Sequence, residues 1–259
     1  MEQPITKKFN DANFYLLAFF GSFILFNILP LVFLVVASLA VEFQQPGFFA
    51  SFLNDYLGSG DLVFTPTVIG ILNISQMLGE ILLLGIFVVI LWKHFIRDGK
   101  LFFSKANFGK YIGIILVGFI AINVAIVGLA EIFELLKIEG TSENQSIVES
   151  MLSYDSKIFM IITTILLAPI VEEIIFRKLL FGVVEEKFHL PPIFAILISA
   201  VIFAAIHAVD AFFFQYLALA LIIAGSYAYS KNNIFVPIGI HLINNALSVI
   251  LYFLSEGLF

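Results

Sequence analysis

About seven times along this chain an apolar run reaches or approaches the ~20 residues that a helix needs to cross a ~30 Å hydrocarbon core. The runs lie near 14–41, 68–92, 111–133, 158–184, 193–209, 212–229 and 234–254. A soluble domain would interrupt such runs with turn signals about every 8–12 residues, so these read as transmembrane helices. Composition agrees: 61% of the 259 residues are hydrophobic, 12% are charged, and the mean hydropathy is +1.07. That leaves too little polar surface for a soluble globule. The expectation is an all-α, polytopic integral membrane protein of about seven transmembrane helices.

The last four runs are joined by very short connections, Ala208-Val209-Asp210-Ala211 and Lys231-Asn232-Asn233 among them, which predicts one compact antiparallel bundle over 158–254. Residues 1–157 form a separate three-helix membrane region, whose polar stretches 42–66 and 134–157 are long enough to carry structure of their own. Of the 13 Lys and Arg, eleven fall on one side of seven alternating spans (Lys7, Lys8, Lys93, Arg97, Lys100, Lys105, Lys110, Arg177, Lys178, Lys187 and Lys231). Only Lys137 and Lys157 fall on the other. Cytoplasmic loops retain basic residues, so the N-terminus is expected inside and the C-terminus outside. Lys7-Lys8 and Ser38-Leu39-Ala40 mimic the ends of a signal peptide, but the apolar stretch between them exceeds the ~7–15 residues of an h-region. It reads as a retained helix kinked at Pro30.

Several chemistries are excluded early. With no cysteine there is no disulfide framework, thiolate nucleophile or Cys-based zinc site. The formal charge of −6 comes with no basic stripe, so nucleic acid is not an expected partner. No His-Glu-x-x-His or Gly-x-Ser-x-Gly motif occurs. Gly58-Ser59-Gly60-Asp61 and Tyr154-Asp155 spell the two signatures of presenilin-type aspartyl proteases, but in reversed order and in expected outer loops, where an aspartate in water cannot share a buried proton.

Ionisable side chains within a span cost about 2.5–3.5 kcal/mol each on insertion scales and must face protein or water. The run 158–184 carries three of them in Glu172-Glu173-x-x-x-Arg177, with Lys178 next in sequence. Neighbouring carboxylates point ~100° apart on a helix and therefore have different surroundings. Glu173 precedes Arg177 by four residues, the favourable order for an ion pair. Glu172 has no such partner on its own helix, and a carboxylate so placed is a candidate general base. Phe203 and His207 share one helix face, and His241 and Asn245 another, with Asn244 nearby. Glu172 and His207 are equally far from the turn His189-Leu190-Pro191-Pro192, so an antiparallel hairpin sets them at the same depth.

Glu172-Glu173…Arg177, Phe203…His207 and His241…Asn245 together resemble the motifs of the CAAX protease and bacteriocin-processing family of intramembrane endopeptidases, also called the Abi family. The resemblance covers 158–254. It implies peptide-bond hydrolysis within the membrane, with Glu172 and His207 activating water, His241 and Asn245 stabilising the oxyanion, Glu173 and Arg177 supporting the site, and Phe203 near the substrate. The substrate implied is a membrane-associated peptide, lipidated or pheromone- or bacteriocin-like, reached from lipid or from the cytoplasmic side of a bacterial plasma membrane. Glu172, His207 and His241 would make an open zinc set. A metal-free, glutamate-activated water is preferred, because a His–Asn oxyanion pair uses His241 as a donor and Asn245 is a poor ligand.

Against these stand blander readings. Glu172, Glu173 and Arg177 alone could be a buried ion cluster that fixes packing, and each histidine alone an interhelical hydrogen bond; the conjunction of three motifs favours a site. Glu80, with Asn73 and Gln76 on the same helix, reads as interhelical packing, with channel lining as the alternative. Glu131 and Glu134 read as interfacial, and the 31 phenylalanines as lipid-facing or packing residues. The rival from another class is a non-catalytic immunity factor or scaffold that binds a peptide or signalling partner. A transporter would show broken helices or inverted repeats, and none is apparent.

Overall fold

The computed structural model describes residues 5–54 and 65–257, with side chains from residue 12 onward. Every regular element among them is helical: α1 (Ile5–Glu42), α2 (Phe48–Asn54), α3 (Pro66–Phe102), α4 (Phe108–Leu135), α5 (Glu143–Leu152), α6 (Lys157–Lys187), α7 (Pro192–His207), α8 (Phe213–Tyr229) and α9 (Phe235–Ser255). Local chemistry sets several of the ends. Thr65 Oγ1 caps α3 by accepting from the Val68 amide at 3.3 Å, with Pro66 at the first helical position. Lys231 and Asn232 both adopt φ +58° in the tight turn between α8 and α9, a conformation Asn tolerates better than most residues.

The chain is a multi-pass membrane protein. Among the described residues five helices, α1, α3, α4, α6 and α9, are long and apolar enough to cross a bilayer. The expected fifth and sixth spans are shorter, at 16 and 17 residues in α7 and α8. At 1.5 Å per residue these cover ~25 Å, somewhat less than the ~30 Å hydrocarbon thickness. The basic-residue count also changes. Arg177 and Lys178 are buried in ion pairs and are not loop charges, which leaves nine basic residues on that side against two.

The largest apolar core draws on both 1–157 and 158–254: α1, α3 and α4 contribute to it together with α6 to α9. Backbones approach closely where small residues allow it. A Cβ at Gly79 of α3 would stand 2.8 Å from the Pro30 ring of α1, and one at Gly182 of α6 would collide with the Tyr15 ring. Such small-residue contacts are how helices gain packing energy in lipid. α6 itself is wound unevenly, with π-helical turns at Thr163–Leu167, Ile174–Leu180 and Val183–Lys187 around the α-helical stretch Ala168–Glu173. Wide turns of this kind re-aim side chains and recur at functional sites. The segment 134–157 carries the short helix α5, capped by Ser142. Glu131 and Glu134 are exposed at the end of α4, and Asp155 is exposed in the α5–α6 loop, while residues 58–61 lie outside the described residues.

Candidate active site

The hairpin of α6 and α7 sets the register of the site. Phe176 and Phe203 share the midpoint of Glu172 and His207 and meet edge to face, with ring centroids 5.3 Å apart. At the next residue of α6, Arg177 Nη1 donates to Ser199 Oγ at 2.9 Å, and that hydroxyl donates to the Phe176 carbonyl at 3.0 Å. With the hairpin pinned there, Glu172 Oε1 lies 3.9 Å from His207 Nε2. From α9, His241 Nε2 lies 3.8 Å from Glu172 Oε2. One carboxylate thus stands between two imidazoles from two other helices.

The adjacent carboxylates differ in surroundings. Glu173 is fully buried and joins two partners: its Oε2 is 3.1 Å from Arg177 Nε, and its Oε1 is 2.8 Å from His241 Nδ1. It therefore does more than pair with its helix neighbour, since it also orients a histidine 68 residues away. Glu172 keeps 13% of its side chain exposed and faces a cavity of about 700 Å³, whose walls also include His207, His241, Asn244 and Asn245.

The partners fix the histidine tautomers. His207 Nδ1 is 2.8 Å from the Phe203 carbonyl oxygen, which can only accept, so the ring carries its proton there and turns a bare Nε2 toward Glu172. His241 Nδ1 faces the Glu173 carboxylate and by the same reasoning also presents a bare Nε2. The His207 ring stacks on Phe203 at 4.2 Å and on Tyr216 at 5.0 Å. Tyr216 in turn places its hydroxyl 3.0 Å from Ser142 Oγ and within 3.3 Å of Asn144 Nδ2, tying α8 to the start of α5 across the cavity wall. Sequence reasoning missed Tyr216 because it belongs to no spaced motif. Phe203 is 1% exposed yet lines the cavity, and its ring packs against Phe176, His207, His241 and the Arg177 guanidinium.

Asn245 Nδ2 donates one hydrogen to the Thr164 carbonyl at 2.9 Å, where α6 is π-helical, and keeps a second. The polar stripe of α3 divides. Asn73 reaches Ser156 Oγ at 3.0 Å and the Met151 carbonyl at 3.3 Å, a packing role, whereas Gln76 and Glu80 line the cavity.

A zinc ion at ~2.0–2.2 Å from a carboxylate oxygen and an imidazole nitrogen would hold those atoms about 3.4 Å apart. The two separations at Glu172 are wider, and among the described residues no group of three His, Asp or Glu could hold a metal ion. As placed, Glu172, His207 and His241 do not fit zinc.

Residues 154–247 match the family described as Rce1-like, type II CAAX prenyl endopeptidase Rce1-like. Over 92 residues the chain is 45% identical to "Putative membrane peptidase YdiL" of Bacillus subtilis (strain 168), a stretch that covers 36% of each protein. The match thus spans about a third of the length of that curated relative. No solved structure matches.

Proposed function

Because the chain belongs, through residues 154–247, to the CAAX protease and bacteriocin-processing family, we propose that it is an intramembrane endopeptidase of a bacterial plasma membrane, oriented with its N-terminus inside. Its substrate is a membrane-associated peptide, lipidated or of the pheromone or bacteriocin type, and water activated by Glu172 and His207 attacks the peptide bond. The observation that carries this reading is the 3.9 Å gap between Glu172 Oε1 and His207 Nε2. It is too long for a hydrogen bond, yet one water oxygen ~2.8 Å from each atom bridges it. That water has two acceptors for its protons and a free lone pair for a carbonyl carbon.

In the proposed reaction Glu172 takes a proton from water as the oxygen attacks, and later delivers it to the leaving amine. His207 Nε2 holds the second proton and fixes the orientation of the nucleophile. The oxyanion needs donors. Asn245 has one amide hydrogen left, and His241 Nε2 is the second donor when it carries a proton. Arg177, 3.1 Å away, holds the Glu173 carboxylate in place. The mechanism runs without a metal, in keeping with the geometry at Glu172.

Incubating the purified, reconstituted chain with membrane-presented peptides tests the proposal, with products read by mass spectrometry and Glu172→Gln as the control. Cleavage by wild type that disappears in Glu172→Gln is the expected result. Equal product from both proteins, or none from either across lipidated and pheromone-like peptides, would favour an immunity factor or scaffold that binds peptide without hydrolysing it.

A further inference from the structure

The cavity at Glu172 contains a second carboxylate that the proposed hydrolysis leaves unused. Glu80 of α3 is 1% exposed; Gln76 Nε2 donates to its Oε1 at 2.7 Å, and its Oε2 has no hydrogen-bond partner. Gln76 belongs to the same helix, one turn earlier, so this bond ties α3 to no neighbour and interhelical packing does not account for the pair. Both residues line the cavity. Three further buried hydroxyl oxygens without partners, on Ser75, Thr163 and Thr164, line it as well. Polar atoms left unpaired at this depth are costly unless something in the cavity pairs with them.

The charge of the walls indicates what that is. Among the described residues no lysine or arginine lines the cavity; its acidic groups are the carboxyls of Glu80 and Glu172, and the His207 ring beside them presents a lone pair. A space bounded by acids and acceptors favours a cationic donor. We propose that Glu80, held in place by Gln76, is the binding subsite for a protonated amine or guanidinium of the substrate: the side chain of a lysine or arginine near the scissile bond, or the free amino terminus of the peptide. Glu80 Oε2 accepts from the cation, while the cavity hydroxyls pair with the adjoining peptide groups. The inference rests on the peptidase reading and adds to it the charge of the substrate.

The test uses the reconstituted full chain and matched peptides differing at one point: lysine against norleucine, arginine against citrulline, and a free against an acetylated amino terminus. Wild type is expected to favour the cationic member of at least one pair by about tenfold in kcat/KM, as for a charge-assisted hydrogen bond. In Glu80→Gln that ratio should fall to within about twofold of unity. Because both peptides of a pair meet the same protein, a loss of folded material lowers both rates and leaves the ratio unchanged. The three pairs separate a side-chain cation from a terminal one. No preference in wild type, or a preference that survives Glu80→Gln, overturns the subsite. If wild type cleaves none of the peptides, the peptidase reading fails separately, and the same ratio is taken from peptide binding: a cation preference lost in Glu80→Gln upholds the subsite, and equal binding overturns it.

Discussion

Arg177 and Lys178 are neighbours on α6, and both are buried, yet they belong to two clusters of opposite character. Lys178 Nζ donates to Asp98 Oδ2 at 3.0 Å, and the same oxygen accepts from the Ile234 amide at 3.3 Å. Asp98 Oδ1 takes Arg97 at 2.6 and 2.8 Å, and the Asp98 carbonyl accepts from Asn233 Nδ2 at 2.8 Å. Every acceptor of Asp98 is used, and none of these residues lines the cavity at Glu172. Around Arg177 the charges reach Glu173 and His241 and end at bare imidazole nitrogens and a carboxylate open to that cavity. Burial of charge is common to both clusters. What separates a candidate active site from a structural tie is acceptor capacity left over and turned toward a space that a ligand can enter.

The comparison is broken most severely at Asp98. Asp98→Ala leaves Lys178 charged and unpaired inside the protein and should cost about 3–5 kcal/mol of stability, seen as a marked fall in the unfolding midpoint in detergent. Molecules that remain folded should cleave peptide at the wild-type rate. A fall in activity without a fall in stability would place Asp98 in the site instead. A smaller loss is expected at Gly182, where a methyl group meets the Tyr15 ring. Gly182→Ala should cost about 1–3 kcal/mol, and Gly182→Ala combined with Tyr15→Ala should cost less than the two changes added separately, by thermal unfolding. The smallest effect is expected at Tyr216. Tyr216→Phe keeps the stacking on His207 and removes the hydroxyl contacts with Ser142 and Asn144, worth about 0.5–1.5 kcal/mol. It should loosen α5 in hydrogen exchange with only a severalfold change in kcat/KM.

These residues also mark what could be read from the chain alone. Glu172, His207 and their shared depth were legible because they obey local rules: four-residue spacing on a helix, and symmetry about a Pro-containing turn. The long helices were legible because lipid demands long apolar runs. The Asp98–Lys178 pair was not, since 80 residues separate its members and Lys178 reads as an ordinary loop cation until burial is known. The second role of Glu173 was hidden for the same reason, because its link to His241 spans 68 residues. Counting apolar runs did not reveal that α7 and α8 stop after 16 and 17 residues, because hydropathy does not mark where a helix ends. The stripe on α3 looked uniform in sequence, and only the cavity separates Asn73, which packs, from Gln76 and Glu80, which do not.

The central claim is that Glu172 is the base of a water-activating site while its neighbour Glu173 is tied up in supporting it. Cleavage by Glu172→Gln in lipid, measured beside its unfolding midpoint, tests this most directly. The account predicts a loss of about 10²–10⁴-fold in rate with the midpoint unchanged, since Glu172 has no ion pair or hydrogen bond shorter than 3.8 Å to its histidine neighbours. A variant that still cleaves at the wild-type rate, or one that loses activity only because it no longer folds, would contradict it.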